Sequence, residues 1–144
     1  MTSSYPLLAS VRVRTYELDS FGHVNNAQFL HYLEEARSEF LIQMGLSFHD
    51  FAAHGVQLVI VEANLRFVSS ARYGDEIEIR GRCRDVRPAS VWIEYLLTEK
   101  ATGRVIVSAE TKGAFIDART FKPCRTPEPF RVAFAAHTRE EGSP

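Results

Sequence analysis

Tyr16-Glu17-Leu18-Asp19-Ser20-Phe21-Gly22-His23-Val24-Asn25-Asn26 is the stretch on which the reading of this chain turns. It sets a carboxylate at Asp19, a glycine, an imidazole and two asparagines between two regular segments. Before it, Val11-Arg12-Val13-Arg14-Thr15-Tyr16 alternates apolar and polar residues, the period of a strand with one buried face. From Leu18 to Asn26 that period breaks, and the residue types are those of loops and helix caps. After it, Phe29, Leu30, Leu33, Ala36, Phe40, Leu41 and Met44 recur at helical spacing and predict a helix over 27–44. Asn25 or Asn26 suits its cap and Gly45 its left-handed stop. Such a helix is about 27 Å long, at a rise of ~1.5 Å per residue, enough to lie across a five-stranded sheet.

Downstream the pattern changes. Ser47 is placed to cap a short helix that runs to His54. Val59, Val61, Ala63, Leu65 and Phe67 then alternate with Ile60, Glu62, Asn64 and Arg66, which predicts a strand over 56–68. Tyr73-Gly74-Asp75 makes a turn. Ile77, Ile79, Gly81 and Cys83 alternate with Glu76, Glu78, Arg80, Arg82 and Arg84, a strand with one face buried. Pro88-Ala89 turns the chain into Val91–Leu97, and Ala101-Thr102-Gly103 makes a hairpin before a last strand over 104–117. Pro123, Pro127 and Pro129 follow, with a short helix expected over 130–137 and a polar tail. There is no internal repeat or low-complexity tract. One strand, one long helix and four strands joined by short turns is an α+β order. With a single long helix to cover the sheet, Trp92, Ile60 and Leu96 imply further cover, most simply another subunit.

The chain of 144 residues has 45% hydrophobic and 24% charged residues and a formal net charge of -1. That length suits one domain with a real core. The charge gives no global basic field for nucleic acid. Cys83 and Cys124 match no metal or redox spacing, and two unpaired thiols are expected. No basic-then-apolar leader and no membrane-length apolar run is present, so we read the protein as cytoplasmic, with no membrane partner. His31 and Glu35 lie one turn apart without a His-Glu-x-x-His run, so no metal site is expected. Gly-rich phosphate loops and the Gly-x-Ser-x-Gly elbow are missing too.

The run Asp19-x-x-Gly22-His23-Val24-Asn25-Asn26, followed by Phe29-Leu30-x-Tyr32 and Glu34-Glu35-Ala36-Arg37, resembles the hotdog-fold acyl-CoA thioesterases of the 4-hydroxybenzoyl-CoA thioesterase family. The resemblance covers roughly 8–125, leaving 126–144 as a C-terminal tail. It implies a curved antiparallel sheet of about five strands wrapped around one long central helix. It also implies a homodimer or homotetramer with active sites between subunits, an acyl-CoA substrate and no cofactor.

Thioester hydrolysis needs a nucleophile or activated water, and positive dipoles where the carbonyl oxygen gains charge. A helix start supplies free N–H groups. The loop before it brings Asp19 to that end, and Gly22 lets backbone approach a ligand. The resemblance makes Asp19 the nucleophile or general base and Asn26 the backbone donor, within N–H groups spanning Val24, Asn25 and Asn26. His23 is either an acid–base group or a loop-orienting one. The plant acyl-carrier-protein thioesterases carry a similar Asp-x-Asn-x-His run; here Phe21 stands at that first Asn, which favours the acyl-CoA side. Glu62 is an acid in an otherwise apolar strand, where a buried acid has a partner or a role; the resemblance places it near the acyl end of the site, or else it faces solvent or pairs with Arg66. For the nucleotide phosphates the candidates are Arg66, Arg72, Arg87 with Ser90, and the row Arg80, Arg82, Arg84. Phe21, Phe29, Tyr32, Val59 and Val61 are candidate pocket walls.

Three rivals stand beside an acyl-CoA thioesterase: an acyl-carrier-protein thioesterase, a hotdog hydratase or dehydratase, and a non-catalytic acyl-CoA binding or sensing module.

Overall fold

The computed structural model describes residues 5–138. Five strands, β1 (Leu7–Arg12), β2 (Val56–Phe67), β3 (Glu76–Arg84), β4 (Ser90–Glu99) and β5 (Val105–Asp117), form one antiparallel sheet in the order β1-β3-β4-β5-β2. Three α-helices accompany it: α1 (Gln28–Gln43), α2 (Phe48–His54) and α3 (Glu128–Ala136). Sheet and long helix together are the hotdog fold. Among the described residues, no helix is long and apolar enough to cross a membrane.

The helix predictions hold to within a residue or two at most ends. Gly45, at φ +79°, stops α1. Ser47 caps α2 by accepting from the Asp50 N–H, while Asp50 Oδ2 accepts from the Ser47 N–H at 2.7 Å. The first strand lies earlier than expected. It spans Leu7–Arg12, and residues 15–17 form a 3-10 turn instead. Pairing explains the shift. β1 runs antiparallel to β3, with Ala9 opposite Ile79 and Arg12 opposite Glu76, and that register ends where β3 begins.

The contacts divide into two units. The first gathers 5–40, 65–81 and 95–109. In it α1 buries Phe29, Tyr32, Leu33, Ala36 and Phe40. Leu30, expected on the apolar stripe, is 45% exposed, and Tyr32 takes the inward place. Arg37 pairs with Glu34 at 2.6 Å on the outer side of the helix.

The second unit gathers 41–64, 82–94 and 110–138. Its core is aromatic. Phe130 of α3 lies 4.7 Å from Phe51, 5.5 Å from Phe115 and 5.6 Å from His54, ring centre to ring centre. Phe134 adds to the same cluster beside Phe115. So α3, in the stretch expected to be tail, carries core residues. Pro129 sits in its first turn, where a missing N–H costs no helical bond. Gly113 leaves room for Leu58, whose Cδ1 lies 2.8 Å from where a Cβ would stand.

A charged ladder crosses this part of the sheet. Glu94 accepts from Arg82 Nε at 2.9 Å and from Arg84 Nε at 3.3 Å. Arg84 also pairs with Asp85 and Glu110, and its guanidinium lies 4.8 Å from the centre of the Trp92 ring. Trp92 was expected to need cover from another subunit; Arg84 of the same chain provides cover. The same pairing removes Arg82 and Arg84 as free cations, and Arg80 pairs with Glu78.

Truncating the aromatic cluster tests its weight. Phe130→Ala should lower the unfolding free energy by about 3–5 kcal/mol, measured by urea denaturation. Val132→Ala, on the exposed side of the same helix, should stay within about 0.5 kcal/mol.

Candidate active site

The site begins with a buried acid that sequence reasoning passed over. In the 3-10 turn Thr15–Glu17, Glu17 folds back so that its Oε1 accepts from the Arg14 N–H at 2.8 Å. Its side chain is 2% exposed. A carboxylate out of water needs hydrogen bonds. The same Oε1 accepts from the Tyr32 hydroxyl at 2.8 Å, and Oε2 accepts from Gln28 Nε2 at 3.2 Å. The Arg14 guanidinium lies 3.6 Å away. Burial, and then the bond to Glu17, raises the Tyr32 phenol above its ordinary range, so Tyr32 remains a donor. One signal could have exposed Glu17. It falls in phase with Val11 and Val13, on the inward side of the alternation.

From Glu17 the chain makes a tight hairpin. The Asn25 N–H donates to the Glu17 carbonyl at 2.9 Å, Leu18 bridges Val24, and the Asp19 N–H donates to the His23 carbonyl at 2.7 Å. Gly22, at φ +79°, closes the tip, and its N–H donates to the Asp19 carbonyl at 3.1 Å. A side chain would be strained in that conformation. Asp19 Oδ1 accepts from the Phe21 N–H at 2.8 Å and the His23 N–H at 3.1 Å. Its Oδ2 has no hydrogen-bond partner among the described residues, and Asp19 is exposed. One oxygen holds the loop and the other is open.

The helix start narrows the expected set of donors. The Val24 N–H goes to the Ala71 carbonyl at 2.8 Å and that of Asn25 to Glu17. Asn25 Oδ1 accepts from the Ala27 N–H at 2.9 Å, so Asn25 is a cap. The Gln28, Phe29 and Leu30 N–H groups are bonded to the carbonyls three residues back. Only the Asn26 N–H, in this run from Val24 to Leu30, lacks a partner among the described residues. Val24, expected to meet substrate, is instead 3% exposed and belongs to the core.

Asp19, Gly22, His23, Val24, Asn25 and Asn26 therefore stand in one closed loop. The His23 ring is half-buried and has no hydrogen-bond partner among the described residues. Arg72 comes beside it through an isolated bridge between the two residues. Arg66 is exposed on β2, and the guanidinium groups of Arg66, Arg72 and Arg87 have no partner among the described residues. Glu62, Arg87 and Ser90 belong to the second unit. Glu62 faces solvent, one of the alternatives the sequence left open, and its partner is Asn64 Nδ2 at 3.2 Å rather than Arg66. Arg87 and Ser90 share a turn, the Arg87 N–H donating to the Ser90 carbonyl at 2.8 Å. Of the candidate pocket walls, Phe29 and Tyr32 are core, packed edge to face at 5.7 Å, while Phe21 is 84% exposed beside Asp19.

Other chemistries find less. Both cysteines are free, and burial pushes the Cys83 thiol up to about 12, which removes its thiolate at neutral pH. Among the described residues, no group of three or more His, Cys, Asp or Glu side chains could hold a metal ion.

Comparison with known proteins bears on the family and the fold. The profile of the thioesterase-like superfamily matches residues 13–134. The chain is 30% identical to the acyl-acyl carrier protein thioesterase ATL3 of Arabidopsis thaliana, over 91% of its own length and 68% of that protein's. It thus spans about two thirds of that plant relative. It is 32% identical to the long-chain acyl-CoA thioesterase FadM of Escherichia coli, covering 78% of this chain and 84% of that one. The crystal structure of YbaW, a probable thioesterase from Escherichia coli, superposes with a TM-score of 0.81 at 28% identity, covering 92% of this chain and 99% of that one. With the fold and the loop already described, these likenesses establish that the chain belongs to the thioesterase-like superfamily and that its enzyme class is thioester hydrolase.

Proposed function

We propose that the protein is a cytoplasmic acyl-CoA thioesterase that hydrolyses an acyl or aroyl thioester to the free acid and coenzyme A. The observation that carries this reading is the pairing, in one closed loop, of the open Oδ2 of Asp19 with the unpartnered N–H of Asn26 at the start of α1. The helix dipole adds positive potential at that N–H. As general base, Asp19 takes a proton from water while the water oxygen attacks the thioester carbon. The C–S bond then breaks, and coenzyme A leaves as the thiol once protonated. As nucleophile, the Asp19 carboxylate attacks the thioester carbon, the C–S bond breaks to release the coenzyme A thiolate, which takes up a proton, and water then opens the mixed anhydride to the free acid and the Asp19 carboxylate. In both routes the Asn26 N–H meets the carbonyl oxygen as it gains charge. His23 stands in the same loop, with its ring free to take part in the proton transfers. For the nucleotide phosphates the proposed contacts are Arg87 with Ser90, or alternatively Arg66, each arginine with an unpaired guanidinium among the described residues.

The assembly we propose is a homodimer or homotetramer with the site between subunits. What supports it is β2, an edge strand of 12 residues with Val61 57% and Phe67 48% exposed. A long edge strand leaves backbone N–H and C=O groups open to pairing with another chain, and here Val61 and Phe67 stand beside the exposed Glu62, Asn64 and Arg66. A carrier-protein substrate is the second reading, supported by the plant relative's activity.

Thiol release from acetyl-, octanoyl-, palmitoyl- and benzoyl-CoA, wild type against Asp19→Asn, tests the first reading. A loss of about 10²–10⁴ in kcat is expected for the variant. Full activity in Asp19→Asn would sink the assignment. Release only from acyl-carrier-protein thioesters would select the second reading, and binding without release would make the protein a sensor. Light scattering on a size-exclusion column should find two or four chains; a single chain would remove the shared site.

A further inference from the structure

The Glu17 carboxylate sits behind the loop rather than in it, and nothing in the proposed chemistry uses it. Its connections explain why it is there. Its side chain reaches Gln28, the first residue of α1, and Tyr32, one turn further on. Its carbonyl receives the Asn25 N–H, at the far end of the hairpin. Two residues along the chain stands Asp19, tied across the same hairpin to His23. Glu17 thus joins the base of the Asp19 hairpin to the helix whose start carries the Asn26 N–H.

We infer that Glu17 is a positioning residue, whose buried hydrogen bonds to Tyr32 and Gln28 fix the Asp19 carboxylate relative to the start of α1. The inference rests on the reading of Asp19 as the reacting group. The physical case has two parts. A purely packing role would be filled by an apolar side chain, without taking a carboxylate out of water. Directional bonds from two successive helix turns hold position and rotation together, which packing alone does less sharply. A displacement of about 1 Å between a reacting group and its substrate costs on the order of 10² in rate.

The geometry separates two degrees of loosening. Tyr32→Phe removes one donor and leaves Glu17 Oε1 its bond from the Arg14 N–H and Oε2 its bond from Gln28. Glu17→Gln keeps the shape but turns one acceptor oxygen into a donor nitrogen, which faces either Gln28 Nε2 and Arg14 or the Tyr32 hydroxyl. The second change should do more.

The test is a double-mutant cycle on the four coenzyme A esters named above. Glu17→Gln and Tyr32→Phe are each made in the wild type and in Asp19→Asn, with thermal melts of every protein. Glu17→Gln should lower kcat by about 10- to 100-fold, and Tyr32→Phe by about 3- to 10-fold. KM should stay within about 3-fold in both. In the Asp19→Asn background, neither change should lower the residual rate by more than about 2-fold, because the group being positioned is already gone. A role confined to stability would lower both backgrounds alike, and that result overturns the inference. So does a wild-type kcat in Glu17→Gln. If Glu17→Gln fails to fold, the Tyr32→Phe cycle decides by the same comparison. Full activity in Asp19→Asn instead removes the reading beneath; a slow Asp19→Asn with an unaffected Glu17→Gln removes only the positioning role.

Discussion

A carboxylate that leaves water must be met by donors, and the placement of the Glu17 donors organises this end of the molecule. A backbone N–H from Arg14, a phenol from Tyr32 and an amide from Gln28 converge on two oxygens. They come from a turn and from two levels of a helix. Satisfying one buried charge therefore aligns a strand end, a hairpin and a helix start. The bonds are individually modest, about 1.5–3 kcal/mol each when one partner is charged. Their consequence is larger than their sum suggests, because losing any one leaves a buried polar atom short of a partner. The raised phenol of Tyr32 belongs to the same logic: an ionised Tyr32 would set two negative charges 2.8 Å apart.

Elsewhere the chain handles charge differently. The ladder from Arg82 through Glu94 and Arg84 to Glu110 is only part-buried. Exposed ion pairs contribute about 0–1 kcal/mol each, so the ladder adds little to stability pair by pair. Its value is in shielding Trp92 and in giving that part of the sheet a polar surface, which opposes casual apolar association. On the edge strand β2 the exposed Val61 and Phe67 stand beside the exposed Glu62, Asn64 and Arg66.

The period of two along β3 was fully legible, and its burial alternates without a break. The helix and its caps were legible because Asn25, Gly45 and Ser47 act locally. The first strand was misplaced because its extent is set by β3, a partner almost seventy positions away that local pattern does not reveal. The choice between a buried and a solvent-facing Glu62 was open in the sequence for a related reason: β2 is an edge strand only in the assembled sheet, and there Glu62 is exposed. At the site, the loop residues were legible as a motif. The division of labour among their N–H groups was not, because the acceptors for Val24 and Asn25 are carbonyls of Ala71 and Glu17, fixed only by the fold. Glu17 was passed over because an acid beside a loop reads as surface.

The two readings of Asp19, a loop-holding residue and a reacting one, do not exclude each other. A carboxylate has two oxygens. Oδ1, bonded to the N–H groups of Phe21 and His23, leaves little rotational freedom to the side chain. That restraint lowers the entropy to be lost when Oδ2 meets a water molecule or a thioester carbon. The bonds that make Asp19 structural are therefore those that would make its free oxygen effective, in either proposed route.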